Sequence, residues 1–143
     1  MIFRLATAAA LALGLATTAS ADDDRLVTIV TSEQPQVQLM SMVLTNQALA
    51  QGKSVQILLC GAAGDIALAS APESATAPQP PKDASPQGLL KAAMAKGAQV
   101  NVCAIYLPAR AQADRALIDG VGVAQPPAMA EMMGDDDTVI WSF

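Results

Sequence analysis

Ser54-Val-Gln-Ile-Leu-Leu-Cys60 is a nearly continuous apolar run that ends in a cysteine and is followed at once by Gly61-Ala-Ala-Gly64. Strands covered on both faces read this way, without alternation of polar and apolar residues. A second run of the same form, Gln99-Val-Asn-Val-Cys103, ends in the chain's other cysteine. If both are strands of one parallel sheet, both sulfurs lie at its carboxyl edge, where open α/β sheets place their ligands. The chain contains no histidine, which removes the commonest general base and metal ligand. Chemistry at this edge is therefore expected to be sulfur chemistry.

Strand and helix signals alternate on either side of these runs. Arg25 to Thr31 is a short β-branched run, read as the first strand. Pro35 suits the first position of a helix, because its missing N–H is not needed there, and Gly52 suits its end. The apolar residues of that helix fall in two stripes, Val37, Met40, Leu44 and Ala48, then Leu39, Met42 and Leu49. One buried face needs only one stripe, so the second points to burial against another subunit or to a crowded helix. Asp65 is expected to cap a short helical turn over 66–69. Ser85 with Pro86 opens a further helix that runs to Lys96 and stops at Gly97.

Beyond Cys103, Pro108 is expected to begin a helix over 109–118. A weak strand follows at 121–124, then a short helix from Pro126-Pro127 to Met133 and a last strand at 138–143. Repeated β–α units of this length predict a three-layer α/β/α sandwich around a five-stranded parallel sheet with right-handed crossovers. The stretch 71–85 carries Pro72, Pro78, Pro80 and Pro81 among small polar residues. It is expected to be an extended, disordered loop with little to bury.

Residues 1–21 read as a secretory signal. Arg4 precedes an uncharged Ala/Leu run, and Ala19-Ser20-Ala21 supplies the small residues of a cleavage site. The run is shorter than the roughly 20 residues of a membrane span. The expectation is a periplasmic protein with one domain over 22–143 and no membrane association. Loss of Arg4 takes the net charge from −5 to −6. That sign disfavours a nucleic-acid partner, and with Tyr106, Trp141 and Phe143 the remaining aromatics, base-stacking surfaces are disfavoured too.

Cys103 is the first candidate for chemistry, because a thiol at a strand end near helix N–H groups can be held as thiolate. Arg110 and Arg115 downstream could add positive charge. The plain alternative is a small buried hydrophobe. An exporting compartment is oxidising, so the pair Cys60 and Cys103 has three readings: a structural staple, a reversible redox couple, or two independent thiols. The glycine loop after Cys60 lacks the lysine of a phosphate loop and the third glycine of a dinucleotide fingerprint, and is read as a tight turn. Met129, Met132 and Met133 sit at helical spacing; they are either packing residues or, with Cys103, soft ligands for Cu(I). Asp135-Asp-Asp137 and Asp22-Asp-Asp24 lack a calcium-loop pattern and are read as a solvated turn and terminus.

The segments 27–32, 47–52 and 55–59 resemble the opening of the DsrE family of sulfur-relay proteins. Gly64-Asp-Ile-Ala-Leu68, Gly97-Ala-Gln-Val-Asn-Val-Cys103 and Asp137-Thr-Val-Ile-Trp-Ser-Phe143 extend the resemblance over most of residues 22–143. It implies a DsrE-like parallel α/β sandwich that assembles into homo-oligomers. It also implies that Cys103 accepts a persulfide sulfur and passes it on, with a sulfur donor or acceptor protein or a small thiol as partner and no cofactor or metal. Cys60 is not part of the family's motif, and its position suggests a resolving partner.

Overall fold

The computed structural model describes residues 25–109 and 116–143. The expected signal segment 1–21, Asp22 to Asp24, Arg110 and Arg115 lie outside the described residues. The chain runs through β1 (Arg25–Val30), α1 (Pro35–Ala50), β2 (Ser54–Leu59), a 3-10 helix (Gly61–Ala67), α2 (Glu73–Thr76) and α3 (Pro86–Ala95). It continues through β3 (Gln99–Val102), α4 (Tyr106–Ala109), β4 (Val121–Val123), α5 (Pro126–Met133) and β5 (Thr138–Ser142). The five strands form one parallel sheet in the order β4-β3-β2-β1-β5. This is the expected α/β sandwich, and the element ends fall within a residue or two of most sequence expectations.

The strand order explains how the helices are distributed. The units β1-α1-β2 and β2-α3-β3 step outward in one direction, while β4-α5-β5 steps back across the sheet. Right-handed crossovers then place α1 and α3 on one face and α5 on the other. The main core lies under α1 and α3 and contains Leu26, Val30, Ile57, Leu59, Val102 and Leu90. Each such fully buried aliphatic side chain contributes about 1.5–3 kcal/mol relative to exposure. The opposite core is small, with Val27, Leu58 and Ala124 buried beneath α5 and Met129 on the helix's inner side. An eight-residue helix cannot cover a five-stranded face, and Ile140, which pairs in register with Val27, stays 41% exposed.

Helix α1 resolves its two stripes in an unexpected way. Its sheet-facing side carries Gln38, Ser41, Thr45 and Asn46, all buried, alongside Met42 and Ala48. Local hydrogen bonds make this affordable: Thr45 Oγ1 donates to the Ser41 carbonyl at 2.7 Å, and Ser41 Oγ to the Gln38 carbonyl at 2.7 Å. Asn46 Nδ2 donates to the carbonyls of Met42 and, across to α3, Leu89. Met40 and Leu44 are left facing outward. The predicted helix stops hold: Gly52 and Gly97 take φ of +90° and +98°, which residues with a side chain rarely adopt. Ser85 caps α3 through Oγ, which accepts from the Gly88 N–H at 3.1 Å.

Three expectations are corrected. The stretch 71–85 is ordered: α2 places Ala75 in the main core at 1% exposure, and Gln79 and Ala84 close an antiparallel bridge. A small side chain fills a slot there that a count of bulky residues misses, and four prolines lower the entropy lost on ordering. The helix after Cys103 begins earlier, at Tyr106, with Pro108 inside its first turn where no N–H is needed. It does not extend to Ile118, because Leu117 forms a bridge with Leu68; 110–115 fall outside the described residues. Asp65 does not open a helix, since the 3-10 helix already starts at Gly61, with Cys60 at its N-cap.

Candidate functional site at the carboxyl edge of β2 and β3

Strands β2 and β3 are neighbours, with Leu59 opposite Val102. One residue further on, Cys60 and Cys103 stand opposite each other with Cα atoms 5.1 Å apart, and their sulfurs form a disulfide. That separation lies inside the range a disulfide spans. The sequence left open whether the two strands were adjacent and in register; the structure supplies both facts, and the reading of two independent thiols is set aside. Main-chain bonds fix each cysteine: the Cys60 N–H donates to the Val30 carbonyl and the Cys103 N–H to the Leu59 carbonyl, each at 2.9 Å. By strand alternation both side chains leave the sheet on the thinly covered face, in the cluster with Ile29, Leu58, Ala124, Met129, Met132 and Met133. Both cysteines are half-buried.

The two loops that follow the cysteines are tied together. Tyr106, three residues after Cys103, is 1% exposed, and its ring lies over Gly64 so closely that any Cβ there would overlap it. The glycine read as part of a tight turn therefore serves to receive this ring. The Tyr106 hydroxyl donates to Asp65 Oδ1 at 2.7 Å. From beneath, the buried Gln87 Nε2 donates to the carbonyls of Ile66 at 3.1 Å and Leu68 at 2.9 Å, anchoring the 3-10 helix to α3. Neither Tyr106 nor Gln87 was singled out as a site residue from sequence. A signal existed for the first: it is the single tyrosine of an aromatic-poor chain and follows a candidate cysteine by three residues.

The methionines divide. Met129, Met132 and Met133 pack with the cysteines, whereas Met42 belongs to the main core and Met40 is exposed on α1. Met129 Sδ accepts a hydrogen bond from the buried Gln56 Nε2 at 3.1 Å, which fixes its thioether against the sheet. Asp135 pairs with Arg25 at 2.9 Å and accepts the Asp137 N–H through Oδ1, as a solvated turn does. Such a surface pair is worth about 0–1 kcal/mol.

No family model matches the chain, and no curated protein matches it. Solved structures do. The YchN protein from E. coli superposes with a TM-score of 0.60 at 18% identity, covering 83% of this chain and 99% of that one. MTH1491 from Methanobacterium thermoautotrophicum, a protein of unknown function, gives 0.58 at 14% identity, over 83% and 98%. At such identities the likeness establishes architecture. Fold and site together define a three-layer α/β sandwich of the architecture shared with these two proteins, with an in-register disulfide at the carboxyl edge of two inner strands.

Proposed function

We propose that this chain is an exported DsrE-family thiol carrier that acts through Cys103, with Cys60 as its resolving partner. The observation that carries the reading is the disulfide itself: two half-buried cysteines placed opposite each other, of which Cys103 opens onto a surface pocket. In the reduced protein, the Cys103 thiolate attacks the outer sulfur of a donor persulfide. It becomes Cys103–S–SH, and the donor leaves as its thiolate. An acceptor thiolate can then remove the outer sulfur. Otherwise the Cys60 thiolate attacks the Cys103 sulfur, forms the disulfide and expels hydrosulfide. In that step two thiols lose an electron pair and the transferred sulfur gains it. The chemistry needs neither metal nor histidine.

Periplasmic residence, from the signal pattern at 1–21, places the carrier where disulfides form readily. The partner is a sulfur donor or acceptor protein or a small thiol. The outward Met40 and Leu44 on α1 support assembly into a homo-oligomer.

The test is residue-resolved mass spectrometry of the reduced protein after treatment with polysulfide. One sulfur atom is expected on Cys103 in Cys60→Ser and none on Cys60 in Cys103→Ser, while wild type releases sulfide and recovers its disulfide. Failure of Cys103 to take up sulfur in Cys60→Ser rejects the reading. A second reading, a permanent structural staple, draws on the 43-residue separation that the bridge closes. It expects the pair to resist mild reductant.

A further inference from the structure

Beside Cys103 the thinly covered face opens into a pocket of about 480 Å³. Leu58 and Ala124 form its floor, Met129 and Met133 of α5 its wall, and Ile105 its lip. Leu58, Ala124 and Met129 are buried, while Ile105 is 75% exposed, the most exposed large apolar side chain among the described residues. No charged side chain lines this pocket among the described residues, and of the two bridged cysteines Cys103 lines it while Cys60 does not. The volume is in the range of small-molecule sites.

We propose that this pocket binds the apolar chain of an aliphatic thiol whose sulfur exchanges with Cys103; the inference rests on the thiol-carrier reading above. Two facts on the pocket wall carry it. Among the described residues the lining carries no side chain that pairs with a carboxylate or an ammonium, so against it a charged thiol such as glutathione must leave its ionic groups outside or lose hydration without compensation. An uncharged chain instead displaces water from apolar surface. The position of Cys103 then fixes which sulfur is attacked. The incoming thiolate, seated in the pocket, attacks Cys103 Sγ; the bond to Cys60 breaks, and Cys60 leaves as thiolate. The product is a mixed disulfide on Cys103. A second thiolate, or Cys60 returning, attacks that disulfide and either releases the oxidised substrate or restores the resting bond. When the second thiolate completes the exchange, two substrate thiols have become one disulfide, and the protein has gained the electron pair and holds Cys60 and Cys103 as thiols.

The experiment measures the second-order rate at which oxidised protein reacts with straight-chain thiols from ethanethiol to hexanethiol, with glutathione alongside. Added methylenes beyond the second barely alter thiol acidity, so the same series against a small soluble disulfide gives the intrinsic baseline. Against the protein the rate is expected to rise by up to about fourfold per methylene until the chain fills the pocket. Glutathione is expected to react more slowly than hexanethiol by more than the baseline ratio. Ala130 also lines the pocket from an exposed position on α5, so Ala130→Glu places a charge there without touching the core. It is expected to flatten the chain-length dependence, with the melting transition checked for an intact fold. Alkylation of the freed thiol during the reaction, followed by peptide mapping, is expected to find the mixed disulfide on Cys103. A protein rate that merely follows the baseline, or a mixed disulfide on Cys60, overturns the pocket proposal while leaving thiol exchange in place. No exchange with any thiol overturns the carrier reading and the pocket with it.

Discussion

The Tyr106 hydroxyl donates to Asp65 Oδ1 at 2.7 Å, and by that bond the loop after Cys103 is latched to the loop after Cys60. The latch joins the same two strand ends that the disulfide joins, but it does not depend on oxidation state. It is expected to keep the two sulfurs near each other when the disulfide is open. Their mutual effective concentration, and so the stability of the disulfide, should depend on it.

Tyr106→Phe keeps the ring over Gly64 and removes only the donor. The expected cost is about 1–2 kcal/mol of stability. The potential of the Cys60/Cys103 couple should move to less negative values by up to about 30 mV, tenfold in the exchange equilibrium. Equilibration with defined dithiothreitol ratios measures this, and an unchanged potential would remove Tyr106 from any part in sulfur positioning.

Gln87→Met preserves length but leaves the buried carbonyls of Ile66 and Leu68 without the amide that both accept from. A loss of about 1–3 kcal/mol is expected, read as a lower urea midpoint at constant slope. A neutral substitution would mean that water or a backbone shift replaces the amide.

Reduction of the disulfide releases a 43-residue separation in the unfolded chain. The chain-entropy account gives an upper estimate of about 4 kcal/mol for a loop of that size. The carrier reading expects the reduced protein to remain cooperatively folded within that loss. Denaturation profiles with and without reductant decide the matter; collapse of the native signal on reduction would favour the staple.

Met40→Glu combined with Leu44→Glu places charges on the outward face of α1. Assembly is expected to weaken to the monomer, while the monomer's own stability changes by no more than about 0.5 kcal/mol per exposed site. Light scattering coupled to size exclusion gives the mass directly. If wild type is itself monomeric, the oligomer expectation falls.

Much of the architecture was legible because it is written in short-range signals. The runs ending in Cys60 and Cys103, the glycines at Gly52 and Gly97, and the Ser85 cap each depend on a few neighbouring residues. What escaped depends on distance in sequence. The burial of polar Thr45 and Asn46 makes sense only with Thr28 and α3 in place, since Thr45 Oγ1, its own proton given to Ser41, accepts from the Thr28 hydroxyl and Asn46 reaches Leu89. A period count over α1 sees apolar Met40 and Leu44 and cannot know that the sheet will take the other side. The order of 71–85 turned on Ala75 fitting into the main core and on Gln79, which bridges to Ala84 and reaches the Pro35 carbonyl. At the site, the cysteines were visible but their register was not, and the Tyr106–Asp65 latch spans 41 positions. Strand ends are local; strand neighbours are not.

The main-chain bonds at the two cysteines carry a consequence of their own. The amides of Cys60 and Cys103 are held by Val30 and Leu59, partners that take no part in sulfur chemistry. Making or breaking the bridge then asks only the side chains to turn, while the ladder beneath them keeps its length and register. Oxidised and reduced forms should therefore share nearly the same pattern of amide protection from solvent exchange. Whatever reads the redox state of this protein must read it at the sulfurs and the pocket beside them, because the sheet will not report it.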